Sequence, residues 1–406
     1  MANVIGRRTY SNARSSRIIQ NVLPTLLLVD SDIEAAAFLA FYNSLPVEKT
    51  SQEKFTWDVD SFLSLTDTTA EAVTGTTATT IGVTNPSRHN PGRLILNSRS
   101  NELMLTVSVD TATSNITVVR AVSALNSGGG TAAAAILSGD TLILLSPAVG
   151  ENSSRQTTQT TTPTEVYNFC QAMRWDLSLS RRQLKRAYEN GDDLPYQTQK
   201  SMSEAKKQMN ALFIDGQRGR YTDSNGDDIT LSQGIRGVPT TYTYAVGGTL
   251  HENSFDEFLM EKGLRKGSRR KVLLSSTAVI LAITQIAKER ITPGYMQLSP
   301  KKGGIGIQVL EYMAPNGATL AIVEDRHLSE THNGVAIGLD MSQLKRKVFS
   351  NNGIDDSFHL ISDTQDKDDL GTVLTLYGDE GLQYGAEDTH FLVTGVTGGA
   401  TGSSGL

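Results

Sequence analysis

The sequence predicts an α+β fold that carries a small all-β insertion, and three observations predict it. The stretch from Asp193 to Asp215 meets every local rule for a helix, and no other long stretch does. From about Thr66 to Thr164 the composition shifts to Thr, Ser, Gly, Ala and Asn, with short β-branched runs between turn residues. The second half alternates between strand-like and helix-like segments, which is an α+β pattern.

Residues 1–31 read as an extended arm, polar and without periodicity, dotted by Arg7, Arg8, Arg14 and Arg17. A short helix is expected within 32–50: Asp32 opens it, Ala35, Ala36, Phe38, Leu39 and Phe41 give it broad apolar faces, and Pro46 ends it. Residues 54–65 then alternate, with Phe55, Trp57 and Val59 on one side and Thr56, Asp58 and Asp60 on the other, so a half-buried strand is expected. A second strand over 166–179 is its expected antiparallel partner. Together they form the stems of an excursion over 51–180 that holds the all-β insertion, about 72–150. Five runs supply its strands, at 79–83, 94–96, 103–109, 116–120 and 141–145. The Thr-rich tract 156–164 reads either as disordered or as a long extended strand, because Thr favours pleated backbone.

A short basic helix, 181–190, precedes the long one. In the long helix Asp193 serves as N-cap, Pro195 is tolerated in the first turn, and Gly216 is expected to supply a left-handed stop. Met202, Ala205, Met209 and Leu212 recur at steps of three and four and make one apolar stripe, leaving Lys200, Glu204, Lys206, Lys207 and Asn210 wet. At about 1.5 Å per residue the rod is about 34 Å long, so it lies across a sheet or along a neighbour. Further on, helices are expected over 254–266 and 276–290 and a strand over 271–274. A hairpin, 305–312 with 318–323, turns through Pro315-Asn316-Gly317. Strands follow around 335–339, 344–349, 358–361, 373–377 and 390–396, and the tail from Gly398 is Gly and Ser.

The chain has 406 residues, 38% hydrophobic and 20% charged, so it can bury a core. Its net charge of -6 repels phosphate polymers and argues against sequence-specific nucleic-acid binding. The single cysteine, Cys170, excludes an internal disulfide framework. The polar start is unlike a signal peptide, and the apolar run 22–29 is too short to span a bilayer, so a soluble, cytosolically made protein is expected.

Motifs for chemistry fail on spacing. Asp223-Ser-Asn225-Gly-Asp227-Asp228 begins like a calcium loop, but the sixth and twelfth positions are Asp228 and Gly234 where Gly and Glu are needed. His327 and His332 flank Glu330, but they are five apart and not four, so they read as surface histidines. The glycines of 302–306 lack the phosphate-loop order, and Cys170 has no motif around it and reads as a small core residue. The arm arginines can touch phosphate or pair with acidic patches on a neighbouring subunit. The second is favoured, because DNA binders carry a denser basic face. No catalytic residue, cofactor or metal is expected.

Several segments, in their order, resemble those of a known family: Lys54-Phe-Thr-Trp-Asp-Val-Asp60, Val166-Tyr-Asn-Phe-Cys-Gln171 leading to Asp176-Leu-Ser-Leu-Ser180, and Lys206-Lys-Gln-Met-Asn-Ala-Leu-Phe-Ile-Asp-Gly216. Val323-Glu-Asp-Arg-His-Leu328 ahead of Gly338-Leu-Asp340, and Leu344-Lys-Arg-Lys-Val-Phe349, complete the set. The chain resembles the major capsid protein of tailed bacteriophages, with the Hong Kong 97-type (HK97-like) fold, and within it the family with a β-rich insertion in the extended loop. The resemblance implies that 193–215 is the spine helix, 181–233 the peripheral domain, 234–340 mainly the axial domain and 341–406 a return to the peripheral domain plus tail. It implies hexamers and pentamers that form an icosahedral head in the virion, assembled in the host bacterial cytoplasm. The implied partners are neighbouring capsomers, portal and scaffolding proteins and, non-specifically, packaged double-stranded DNA, with no membrane. Arg7, Arg8, Arg14, Arg17 and Trp57 are the expected inter-subunit contacts. Some relatives cross-link through a lysine of the extended loop, but no lysine lies between Lys54 and Lys185, so cohesion here is expected to be non-covalent. A tail-tube or decoration protein is the alternative, since Thr-rich strands suit those too, although the long helix argues against it. An enzyme would need an acid and base pair, and none can be nominated.

Overall fold

The computed structural model describes residues 37–127, 129–148, 160–185, 193–287, 310–351, 354–362, 364 and 371–400. It divides into two compact units, one made of 1–57 with 166–406, the other of 58–165.

The smaller unit is one six-stranded antiparallel sheet. All five expected runs are strands, at Thr80–Gly82, Arg93–Asn97, Leu103–Asp110, Asn115–Val119 and Thr141–Pro147, and a sixth, Thr66–Thr68, was too short to show a period. In space the order begins at Thr66–Thr68 and ends at Thr80–Gly82. These two ends meet: Thr69 bridges Val83, and the Ala70 amide donates to Gly82 O at 2.9 Å. The sheet therefore closes on itself and leaves no long edge to aggregate. Its alternating inward side chains, among them Ile81, Ile95, Met104, Ile116, Val118 and Leu142, form a separate core. One buried ion pair braces it. Arg120 donates to both oxygens of Glu102, at 2.6 and 2.7 Å, and Glu102 also accepts from the amides of Ala121 and Ala134.

The larger unit holds two six-stranded sheets. In sheet one Val47–Thr50 runs parallel to Lys345–Asn351, followed by Thr372–Gln383 and Gln171–Leu179, both antiparallel to their neighbours. Sheet two has the order Thr243–His251, Phe391–Ala400, Ala336–Leu339, Arg270–Ser275, Thr319–Glu324, Leu310–Met313. The Asn-Gly hairpin is present, with Gly317 at φ 77°. One expectation fails here. The strand expected over 166–179 breaks at Cys170, so that only Thr164–Phe169 pairs with Lys54–Val59 while the rest turns into sheet one. The Asn168 side chain accounts for the break: it accepts from the amides of Phe169 and Gln233 and donates to Leu382 O at 2.7 Å, replacing ladder bonds. Within 341–406, Thr372–Gln383 lies in sheet one and Phe391–Ala400 in sheet two. Phe391 is buried there in edge contact with Phe258, over Gly338, where any side chain would collide with its ring.

The long helix spans Asp193–Asp215, with Asp193 already inside it and not flanking it. Ala205, Met209, Phe213 and Ile214 are buried, whereas Met202 and Leu212 are only partly so. Gly216 is not left-handed. It is needed for space, since a Cβ would stand 2.5 Å from Leu212 O and 2.6 Å from Ser232 O. Asn210, expected on the wet face, is fully buried. Its Oδ1 accepts from the Leu39 amide at 2.9 Å, and its Nδ2 donates to Asp325 Oδ2 at 3.1 Å. Asp325 also accepts from the Phe38 amide and caps the helix Arg326–Thr331. Phe38 and Leu39 lie in the first turn of the helix Ala37–Ser44, whose amides have no partner inside it. Asn210 and Asp325 thus satisfy that helix end across the chain, and Tyr42 stacks on Phe213 at 4.2 Å below it.

On the central strand of sheet one lie two acids. Glu380 is buried and paired with Arg346. Asp379 has one carboxylate oxygen buried without a hydrogen bond, and its carboxyl is pushed up to about 6, first by burial and then by Asp356, Glu53 and Glu380. A raised folded pKa means the fold prefers the protonated acid. The contribution to stability is full below the unfolded pKa and is lost as pH rises through about 6.

Two outcomes are expected. Asn210→Leu leaves the Asp325 carboxylate and the Leu39 amide short of partners, and urea unfolding should show a loss of about 2–5 kcal/mol. Asp379→Asn should stabilise the protein at neutral pH, by about 1 kcal/mol after allowance for its partial exposure. Toward pH 4 the gap between thermal melts of the two proteins should shrink to a small fraction of its neutral-pH size.

Candidate assembly surfaces

The excursion is rooted in sheet one through aromatic side chains. Phe55 is buried against Gly381, where a Cβ would lie 2.8 Å from its ring. Trp57 stacks on Phe55, meets Tyr384 edge-on at 4.9 Å, and donates its indole N–H to Gly385 O at 2.9 Å. On the partner strand the Tyr167 ring has Lys54 over it at 4.3 Å and Arg218 at 4.5 Å. Inside its own chain Trp57 is half-buried, and Gly385 and Tyr384 offer its polar edge and its face a partner each. Arg7, Arg8, Arg14 and Arg17 lie outside the described residues, as do the glycines of 302–306.

The ladder ends at Val59, short of the expected 65. Beyond it, side chains bond to nearby backbone: Asp60 accepts from the Ser61 amide, and the Ser64 hydroxyl pairs with Thr66. This irregular segment presents Phe62 fully exposed, at 103%, with Leu65 at 64% and Leu63 at 37%. Phe62 and Leu63, with Arg88 and Thr160–162, line an open groove of about 370 Å³. A fully exposed aromatic beside two leucines is a surface that gains by being covered. The sequence carried a signal for it, Phe62-Leu63-Ser64-Leu65 breaking the alternation, that the strand reading passed over.

The long helix ends in a cluster. Asp215 pairs with Arg236 through one oxygen and accepts from His327 at 2.7 Å and His332 at 3.1 Å on the other. Burial works to raise the Asp215 carboxyl, but the bonds from His327 and Arg236 hold it below the ordinary range. The two histidines are therefore half-buried joints and not the surface residues expected. His327 sits in the helix Arg326–Thr331, and His332, just past its end, swings back to the same carboxylate. Their nitrogens face one acid, and among the described residues no group of three His, Cys, Asp or Glu could hold a metal ion. Asp223 accepts from the amides of Asn225 and Asp227 and closes a hairpin turn. Cys170 is buried, and burial pushes its thiol well above the ordinary range. No described helix is long and apolar enough to cross a membrane.

Among solved structures, the capsid of cyanophage A-1(L) is similar over 95% of this chain and 98% of its own, with 10% identity and a TM-score of 0.49. The capsid of an empty GTA particle is similar over 97% and 98%, with 9% identity and a TM-score of 0.48. A Mycobacterium phage Patience chain is similar over 64% and 79%, with 12% identity and a TM-score of 0.40. At such scores these likenesses carry no argument of their own. No curated protein matches the sequence. The family model described as SU10 major capsid protein matches residues 34–397, nearly the whole chain. The chain belongs to the SU10 major capsid protein family.

Proposed function

We propose that this capsid protein builds the head of a tailed double-stranded DNA phage from hexamers and pentamers, each excursion lying across the adjacent subunit. The observation that carries this reading is the segment Phe62–Leu65, apolar and exposed. Covering Phe62, Leu63 and Leu65 contributes about 1.5–3 kcal/mol for each side chain fully buried. One such contact is modest, but every chain gives and receives it, so the lattice sums many. The family sets aside the tail-tube and decoration alternatives.

In this reading the Hong Kong 97-type fold supplies the frame. The long helix with sheet one is the peripheral domain, and sheet two is the axial domain. Phe391–Ala400, paired in sheet two, then belongs to the axial domain. Cohesion is non-covalent, since no lysine lies between Lys54 and Lys185 to form a cross-link from the excursion. The closed sheet of 58–165 adds contact area in place of that bond. Portal and scaffolding proteins, assembly in the bacterial cytoplasm and non-specific contact with packaged DNA complete the proposal.

A double variant, Phe62→Asp with Leu65→Asp, should keep its unfolding free energy within about 0.5 kcal/mol, because both side chains are exposed. It should fail to form closed particles in electron micrographs; normal particles would contradict the contact. Purified wild-type particles should run as one monomer band on a denaturing gel, and a ladder of multimers would refute non-covalent cohesion.

A further inference from the structure

Between the turn Leu259–Gly263 and the strand Arg270–Ser275 the chain reads Lys262-Gly-Leu-Arg265-Lys266-Gly-Ser-Arg269-Arg270-Lys271. Lys271 points inward, donating to Gly263 O and Thr389 O at 2.7 and 2.6 Å. The other five cations are exposed. Lys266 pairs with Asp388 at 2.5 Å and Arg270 with Glu311 at 3.0 Å. Lys262, Arg265 and Arg269 have no ion-pair partner among the described residues, and the acid next to them in the chain is Glu261. In a chain of net charge -6 such a concentration of unpaired cations stands out from the general field.

The turn is built and not loose. Gly267 has φ 77°, and a Cβ there would lie 2.3 Å from Asp340 Oδ2. Asp340 is buried and accepts from the Ser268 amide at 2.7 Å and from its hydroxyl at 2.9 Å. The Arg269 carbonyl accepts from the Thr319 amide at 3.0 Å, which fixes the turn to sheet two. The backbone carrying the free cations is ordered before any partner arrives, so binding does not have to order it. The one apolar side chain within 261–270, Leu264, is buried, and every exposed side chain there is polar, the nearest exposed apolar residue in the chain being Met260. A protein partner is held around an apolar centre, which this turn does not offer. A phosphate polymer needs none, and guanidinium groups match its oxygens.

We propose that the turn 262–270 grips the phosphate backbone of nucleic acid without reading sequence, through Lys262, Arg265 and Arg269. This rests on the capsid reading and assigns the place where the protein touches its packaged polymer. Each phosphate neutralised by one of the three contributes about 0.9 to the slope of log affinity against log salt.

The test uses the full-length soluble protein and a short labelled DNA duplex, with fluorescence anisotropy between about 50 and 200 mM salt. The triple variant Lys262→Gln, Arg265→Gln, Arg269→Gln should lower the slope by about 2–3. Arg265→Gln alone should lower it by about 1, and Lys206→Gln, an exposed cation elsewhere, should leave it unchanged. The single variant covers the case in which the triple one folds poorly. An unchanged slope overturns the proposal. So does loss of assembly with unchanged DNA binding, which would assign the turn to an acidic face of a second copy. Absence of closed particles from the wild-type protein would count against the capsid reading itself, whatever the duplex does.

Discussion

The larger unit depends on one buried carboxylate. Asp325 has no exposed surface, and burial raises its pKa above the ordinary value. It stays in place because four groups converge on it: the amides of Phe38, His327 and Leu328, and the Asn210 side chain. Through those bonds one acid joins the first described helix, the long helix and the strand Thr319–Glu324 that delivers it. Each of the two short helices would otherwise end with buried amides unpaired, at a cost of about 1–3 kcal/mol per group. A second acid, Asp215, repeats the arrangement at the end of the long helix with Arg236, His327 and His332. Both ends of the helix Arg326–Thr331 are thereby held to the same rod.

This division of labour explains how the protein can serve as a lattice unit. Polar bonds inside the subunit are buried and specific, so the sheets and the long helix keep their geometry. The closed sheet of 58–165 has its own apolar core and its own buried Glu102–Arg120 pair. Phe62, Leu63 and Leu65, by contrast, present apolar surface. Units with exposed apolar segments suit an assembly of many modest contacts, because no single contact needs to be strong enough to trap an error.

What the sequence revealed follows from the range of the forces involved. Local periodicity marked the helix Asp193–Asp215, and β-branched runs between turn residues marked five of the six strands of the closed sheet. Asn316-Gly317 marked the hairpin. Misreadings came where a residue answers a partner far along the chain. Asn210 looks wet on a helical wheel and is buried by Asp325, 115 positions away. Gly216 looks like a left-handed stop and is a close approach to Ser232. The break at Cys170 is made by an asparagine that reaches Leu382. His327 and His332 miss a metal spacing and instead share Asp215, which nothing in their local pattern could show.

The central claim is that the rooted excursion, through Phe62, joins one subunit to the next. A cryo-electron microscopy map of particles assembled from the full chain tests it directly. The account predicts closed shells in which the Phe62 ring is covered by a second copy. Closed shells with Phe62 facing solvent would contradict it.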